Sequence, residues 1–224
     1  MSNIVNDMVN SFDADTAGSL KKIGLFFGSF NPIHIGHLLI ANHMVNQTDL
    51  EEIWFVVSPH NPLKNKASLL KEYHRLAIVN EAIEDNDKFK ASDVEFGLSQ
   101  PSYTVETLAY LKEKHPTYSF SLLMGEDNLR SFHKWKNYEL ILENNPIFIY
   151  PRVLTVQELT DKNFKVDEIV TALLQHKNIT LTDAPVMKVS SSLIRNLIKE
   201  GKSTKYLLTE SAKKYVEEMN FYKV

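Results

Sequence analysis

The chain of 224 residues contains no cysteine. That absence removes disulfides, thiolate metal sites and cysteine nucleophiles together, and is compatible with a reducing compartment, so a cytoplasmic protein is expected. No apolar run approaches the roughly 18 residues that a membrane span needs. Neither sign of charge dominates. Lys and Arg number 25 against 28 Asp and Glu, a net charge of −3, which argues against a nucleic-acid scaffold. Neither nucleic acid nor a membrane is therefore expected as a partner. What is present is ordinary globular material, 43% hydrophobic and 24% charged, enough to bury a sizeable core.

The first 22 residues are polar, with a loose apolar spacing at Ile4, Val5, Met8, Val9 and Phe12. They lack the basic start and apolar stretch of a secretory signal. We read residues 1–22 as an extension, either a short docked helix or a tail, ahead of a single domain over 23–224. From there the chain alternates. Short β-rich runs occur at 23–27, 53–57, 89–96, 119–124, 147–150 and 179–182, with helical patterns at 38–47, 69–85, 104–114, 137–143, 166–176, 190–199 and 209–219. Several strands are apolar almost throughout, as in a parallel sheet covered on both faces. The alternation predicts an α/β fold: a doubly wound, mostly parallel, Rossmann-like sheet with helices on both faces and a helical C-terminal end. Ser68, Ser102, Ser190 and Thr209 stand where hydroxyls would cap helices.

Two segments carry chemistry. "GSFNPIHIGH", 28–37, leaves the first strand and enters the first helix. A helix start offers free N–H groups and the positive end of a dipole. Gly28 would let backbone approach a ligand, Pro32 stiffens the turn, and His34 and His37 could donate to phosphate oxygens. Gly36 would leave room for a flat base. The segment is neither a P-loop nor the Gly-x-Gly-x-x-Gly fingerprint. A His-x-x-His metal pair or two surface histidines would also explain it. The second segment, "VSSSLIR" at 189–195, places three serines and Arg195 at another helix start. That suits a phosphate, and equally a simple cap before an amphipathic helix.

"HIGH" at 34–37, preceded by "GSFNP", resembles the signature of the nucleotidyltransferase superfamily, which shares a Rossmann-like fold with class I aminoacyl-tRNA synthetases. "VSSSLIR" resembles the second signature, Ile-Ser-Ser-Thr-x-Ile-Arg, of bacterial nicotinate-nucleotide adenylyltransferases. "PSYTVETL" (101–108), with Glu106 for the usual aspartate, resembles their Ser-Tyr-Thr-x-Asp-Thr-Leu stretch. "LLMGEDNLRSFHKW" (122–135) resembles their Gly-x-Asp segment followed by tryptophan. "HNPLK" (60–64) is similar to their Pro-Pro-His-Lys loop, with Leu63 for the histidine.

The resemblance implies adenylyl transfer from ATP to nicotinate mononucleotide, giving deamido-NAD and pyrophosphate in NAD biosynthesis. It implies His34 and His37 on the triphosphate, with Gly28, Ser29 and Phe30 lining the phosphates with backbone. Ser191, Ser192 and Arg195 would hold the β- and γ-phosphates. Asp127 would meet ribose hydroxyls, or cap a helix. Lys64, Tyr103, Thr104 and Trp135 would meet the pyridine nucleotide; Tyr103 and Thr104 could instead belong to a helix cap, and Trp135 to the core or rim. Mg²⁺ would be held mainly by ATP phosphates, with no protein ligand named. The alternatives are a pantetheine-phosphate or nicotinamide-nucleotide adenylyltransferase, or a catalytically silent nucleotide-binding sensor. The sequence leaves homo-oligomerisation open.

Overall fold

The computed structural model describes residues 20–59, 69–151, 168–185 and 187–223. Within them lie six strands: β1 (Lys21–Gly28), β2 (Glu52–Val57), β3 (Phe89–Ser92), β4 (Tyr118–Gly125), β5 (Ile147–Tyr150) and β6 (Ile179–Leu181). The helices described are α1 (Ile35–Gln47), α2 (Glu72–Ile83), α3 (Thr104–Lys114), α4 (Glu126–Phe132), α5 (Tyr138–Asn144), α6 (Glu168–Leu174), α7 (Ser191–Lys199) and α8 (Glu210–Glu218). The sheet order is β3-β2-β1-β4-β5-β6, and every pairing is parallel. All strand carboxyl ends therefore share one edge. The chain reverses its direction of progress between β1 and β4, and that crevice is where such sheets take ligands.

Strand periodicity divides the core. On β1, Ile23 and Leu25 face one apolar cluster with Leu108, Leu111, Leu129, Phe132, Ile141 and Leu173, while Phe26 faces the other with Ile40, Met44, Ile78, Ala212 and Val216. Thus α1, α2 and α8 cover one face and α3 to α6 the other. All six β2 residues are buried, the mark of a strand covered on both sides. Trp54 lies in the second cluster, a core residue.

The local differences from the sequence reading have physical causes. The run 89–96 reads as one strand, but pairing stops where Val56 meets Ser92. Its partner β2 ends one residue later, and Val94–Gly97 winds into a 3₁₀ turn. The short α4 is not anticipated. The second helix starts at Glu72 rather than 69, with Lys71 at its N-cap, and Ser68 lies outside the described residues. Ser190 and Thr209 do cap, accepting from the Leu193 and Ala212 N–H groups at 3.2 and 3.3 Å. Ser102 does not cap: α3 has Tyr103 at its N-cap and no side-chain cap bond. Residues 1–19 of the extension lie outside the described residues, and β1 already begins at Lys21. No described helix is long and apolar enough to cross a membrane.

The amino edge of the sheet carries a buried anion. Glu52 of β2 is paired with Lys21 of β1 and, at 3.0 Å, with Lys90 of β3, and it accepts from the Trp54 indole at 3.0 Å. Burial pushes its carboxyl up, but the Lys21, Trp54 and Lys90 bonds outweigh burial and hold it below the usual range. Its contribution to stability is therefore present above the ordinary carboxylate pKa and is lost as pH falls through the depressed one. Glu52→Gln is expected to cost about 1–2 kcal/mol at neutral pH. Urea titrations should show that cost shrinking on acidification.

Candidate active site

The loop after β1 is fixed by its carbonyls. Gly28 O accepts from the Ser58 N–H at 2.9 Å, Ser29 O from Arg75 at 2.6 Å, Asn31 O from Arg195 at 2.8 Å and Pro32 O from the Ser191 hydroxyl at 2.8 Å. A trans peptide is planar, with C=O and N–H opposed. Pulling the Gly28, Ser29 and Pro32 carbonyls into protein turns the Ser29, Phe30 and Ile33 N–H groups the other way. Clustered backbone N–H groups of this kind suit an anion.

The two sequence segments are thus one structure: the start of α7 is bonded to the loop that precedes α1. Arg195 bonds Asn31 through Nη1 and the Ser192 hydroxyl through Nη2 at 3.1 Å. Since the Ser191 hydroxyl proton goes to Pro32, a phosphate at this helix start would meet the first-turn N–H of Ser191 rather than that proton.

The histidines differ in kind. Their rings stack, centroids 3.8 Å apart. His34 is the N-cap of α1 and is buried. Desolvation lowers its pKa to about 4, so it is neutral at physiological pH. His37 stands in the first turn with its Nδ1 accepting from the His34 N–H at 3.2 Å. That bond places the proton of a neutral His37 on Nε2, making Nε2 the donor. The Phe30 and Phe26 rings pack at right angles to it, centroids 5.2 and 5.8 Å away.

Two glycines have a packing reason. A Cβ at Gly28 would lie 2.7 Å from the Phe30 ring, which folds back under the strand because Phe30 has φ +42°. A Cβ at Gly36 would lie 2.8 Å from Val189 Cγ1 and 3.2 Å from the His34 ring. The room read as space for a ligand beside Gly28, or for a base beside Gly36, is filled on those sides by the protein's own side chains. Across the crevice, Asp127 is exposed in the first turn of α4, its Oδ1 leaning over Gly125 at the end of β4. It is 2.5 Å from where a Cβ there would stand.

At the other end of the crevice Tyr103 is exposed and Trp135 half-buried, edge-on to Phe132 at 5.4 Å. Lys136 joins them, 4.4 Å from the Tyr103 ring centroid and 2.6 Å from Glu106. Thr104 opens α3 beside Tyr103. Lys64 lies outside the described residues. Beneath this end is a group that the sequence reading missed. Glu95 is buried and accepts from the Thr107 hydroxyl at 3.0 Å and from the Ser58 and Ser102 hydroxyls. Burial pushes its carboxyl up, against those bonds. It supplies the anchor that the uncapped α3 lacks, and it explains why Ser102 does not cap. A glutamate between Val94 and Phe96, both packed on the core, was the available signal.

The His34 pKa has a stability consequence. The unfolded chain takes up a proton near pH 6.5, the folded chain only near about 4. The stabilising contribution is complete above the first value and disappears as pH falls to the second, a change on the order of 2–3 kcal/mol. Chemical unfolding at several pH values should show this slope in wild type and a flatter one in His34→Phe.

A family model described as cytidylyltransferase-like matches residues 25–197. A relative from Flavobacterium psychrophilum is 53% identical over 202 residues, 90% of this chain and 99% of its own. Another, from Christiangramia forsetii, is 54% identical over 203 residues, 91% of this chain and 99% of its own. Both are named "Probable nicotinate-nucleotide adenylyltransferase". In fold the chain is similar to Plasmodium falciparum nicotinic acid mononucleotide adenylyltransferase complexed with NaAD, with TM-score 0.69 and 24% identity over 90% of this chain and 97% of that one. The same enzyme complexed with APC gives TM-score 0.70 at the same identity and coverage. The chain belongs to the cytidylyltransferase-like family, within its nicotinate-nucleotide adenylyltransferases.

Proposed function

We propose that the chain transfers the adenylyl group of ATP to nicotinate mononucleotide, giving deamido-NAD and pyrophosphate. The observation that carries this reading is the bonding of the α7 start to the loop before α1. It gathers backbone N–H groups, two histidines and Arg195 at the carboxyl edge of β1. A phosphate oxygen of the mononucleotide attacks the α-phosphorus, the bond to the bridging oxygen breaks, and pyrophosphate departs. The nucleophile is already an anion, so no general base is needed. Positioning and charge stabilisation supply the rate.

In this reading His37 donates from Nε2 to the α-phosphate as charge develops, and the neutral His34 contacts the triphosphate. Ser29 and Phe30 offer N–H groups to the phosphates. Ser191 and Ser192 offer first-turn N–H groups and Arg195 its guanidinium to the β- and γ-phosphates. Asp127 takes ribose hydroxyls and Trp135 walls the pyridine ring, while Lys64 is assigned to the mononucleotide by sequence resemblance alone. Among the described residues no group of three or more His, Asp or Glu side chains could hold a metal. In this reading magnesium enters as part of the MgATP substrate.

His37→Ala is expected to lower kcat about 10²–10³-fold with a smaller effect on ATP binding. A variant within about threefold of wild type in a pyrophosphate-release assay would overturn its role.

The Tyr103 and Thr104 N–H groups would receive the ring carboxylate at the α3 start, where the dipole favours an anion. An amide would turn its NH₂ against one donor, which costs about 5- to 150-fold in kcat/KM. Comparing nicotinate and nicotinamide mononucleotides at one ATP concentration tests this. A ratio near one, or one favouring the amide, counts against the substrate and leaves adenylyl transfer standing.

A further inference from the structure

Arg75 is the largest fully buried side chain described. It sits on α2 in the same stripe as Ile78, Val79 and Ala82, all buried. Burying a guanidinium is costly, and it cannot escape by losing its proton. Its pKa is lowered by that burial. Each hydrogen bond described for it ends on a backbone carbonyl: Nε on Leu70 at 2.8 Å, Nη1 on Ser29 at 2.6 Å and Ser58 at 2.8 Å, and Nη2 on Pro59 at 2.9 Å. Those carbonyls belong to three chain segments: the loop after β1, the exit of β2, and the approach to α2. Leu70 is held on its other side too, since its N–H donates to the Asn31 side chain at 3.2 Å. Ser58 joins Arg75 to Glu95, through its carbonyl and its hydroxyl respectively.

A charge placed at such cost to grip carbonyls of loops, rather than a carboxylate, calls for a reason beyond stability. We propose that Arg75 is a positioning residue: by fixing the Ser29 carbonyl it fixes the plane of the Ser29–Phe30 peptide and aims the Phe30 N–H at the triphosphate. Only a planar fork has donors enough, and spread enough, to reach four carbonyls. A compact ammonium would hold one or two and let the peptide plane turn. The proposal rests on the adenylyl-transfer reading for the identity of the anion.

The test uses the full chain with Arg75→Lys and Arg75→Met. ATP binding is measured by calorimetry without the second substrate, alongside thermal melting and amide hydrogen exchange. Both variants are expected to melt as cooperatively as wild type. Both should bind ATP at least about tenfold more weakly and exchange faster at 28–33, with lysine recovering only a small part of the loss. ATP binding by Arg75→Lys within about threefold of wild type would mean that charge alone suffices, and would overturn the proposal. So would wild-type binding by Arg75→Met, and so would loss of the melting transition in both variants, which would make Arg75 a residue of folding alone. A wild-type protein that binds ATP but forms no product would instead overturn the reading of the reaction, and would leave this comparison intact.

Discussion

The molecule turns on one constraint: the carbonyls of Gly28, Ser29, Asn31 and Pro32 must each be held by protein, which turns the Ser29, Phe30 and Ile33 N–H groups the other way. Nothing local achieves this. Arg75 comes from α2, Arg195 and Ser191 from α7, and the Ser58 N–H from the exit of β2. Each of these elements is in place because the parallel sheet puts it beside the carboxyl end of β1. The fold and the site are therefore the same problem. The sheet order sets which elements surround the loop, and the loop's backbone polarity sets which side chains those elements must carry.

A division of labour follows. Side chains that the sequence suggests for the ligand partly serve the loop. Ser191 spends its proton on Pro32, and Arg195 spends part of its fork on Asn31. The glycines make room for protein rings and methyls. The aromatic packing of Phe26, Phe30 and Phe55 supports His37 from below. The backbone N–H groups of the loop and the helix starts are left beside the histidines, and they are fixed dipoles that reorganise little. That is the pre-organisation on which transfer to an already anionic nucleophile depends.

Most of this fold is legible from the chain because its signals are local. Apolar strands, helical periods and the Ser190 and Thr209 caps each need only neighbours a few residues away. The His34–His37 turn is legible for the same reason. Ser102 shows the limit. It stands where a cap would stand, yet its hydroxyl is claimed by Glu95, seven positions earlier and brought near by a turn with no strong signature. Arg75 is harder still. A charged residue on a helix reads as solvent-facing, and its partners are carbonyls, which every residue has. Its phase with Ile78, Val79 and Ala82 was the one hint that it points inward.

The side chain of Asn31 accepts from the Leu70 N–H and, at 2.9 Å, from the Tyr222 hydroxyl, while its carbonyl accepts from Arg195. A single residue near the front of the domain thus waits for groups that leave the ribosome at three later times, the last of them 191 positions further along. Sheet and helices can gather as they emerge. The loop after β1 is made well before the groups that complete it, so a nascent chain can be mostly folded while that loop is still unassembled.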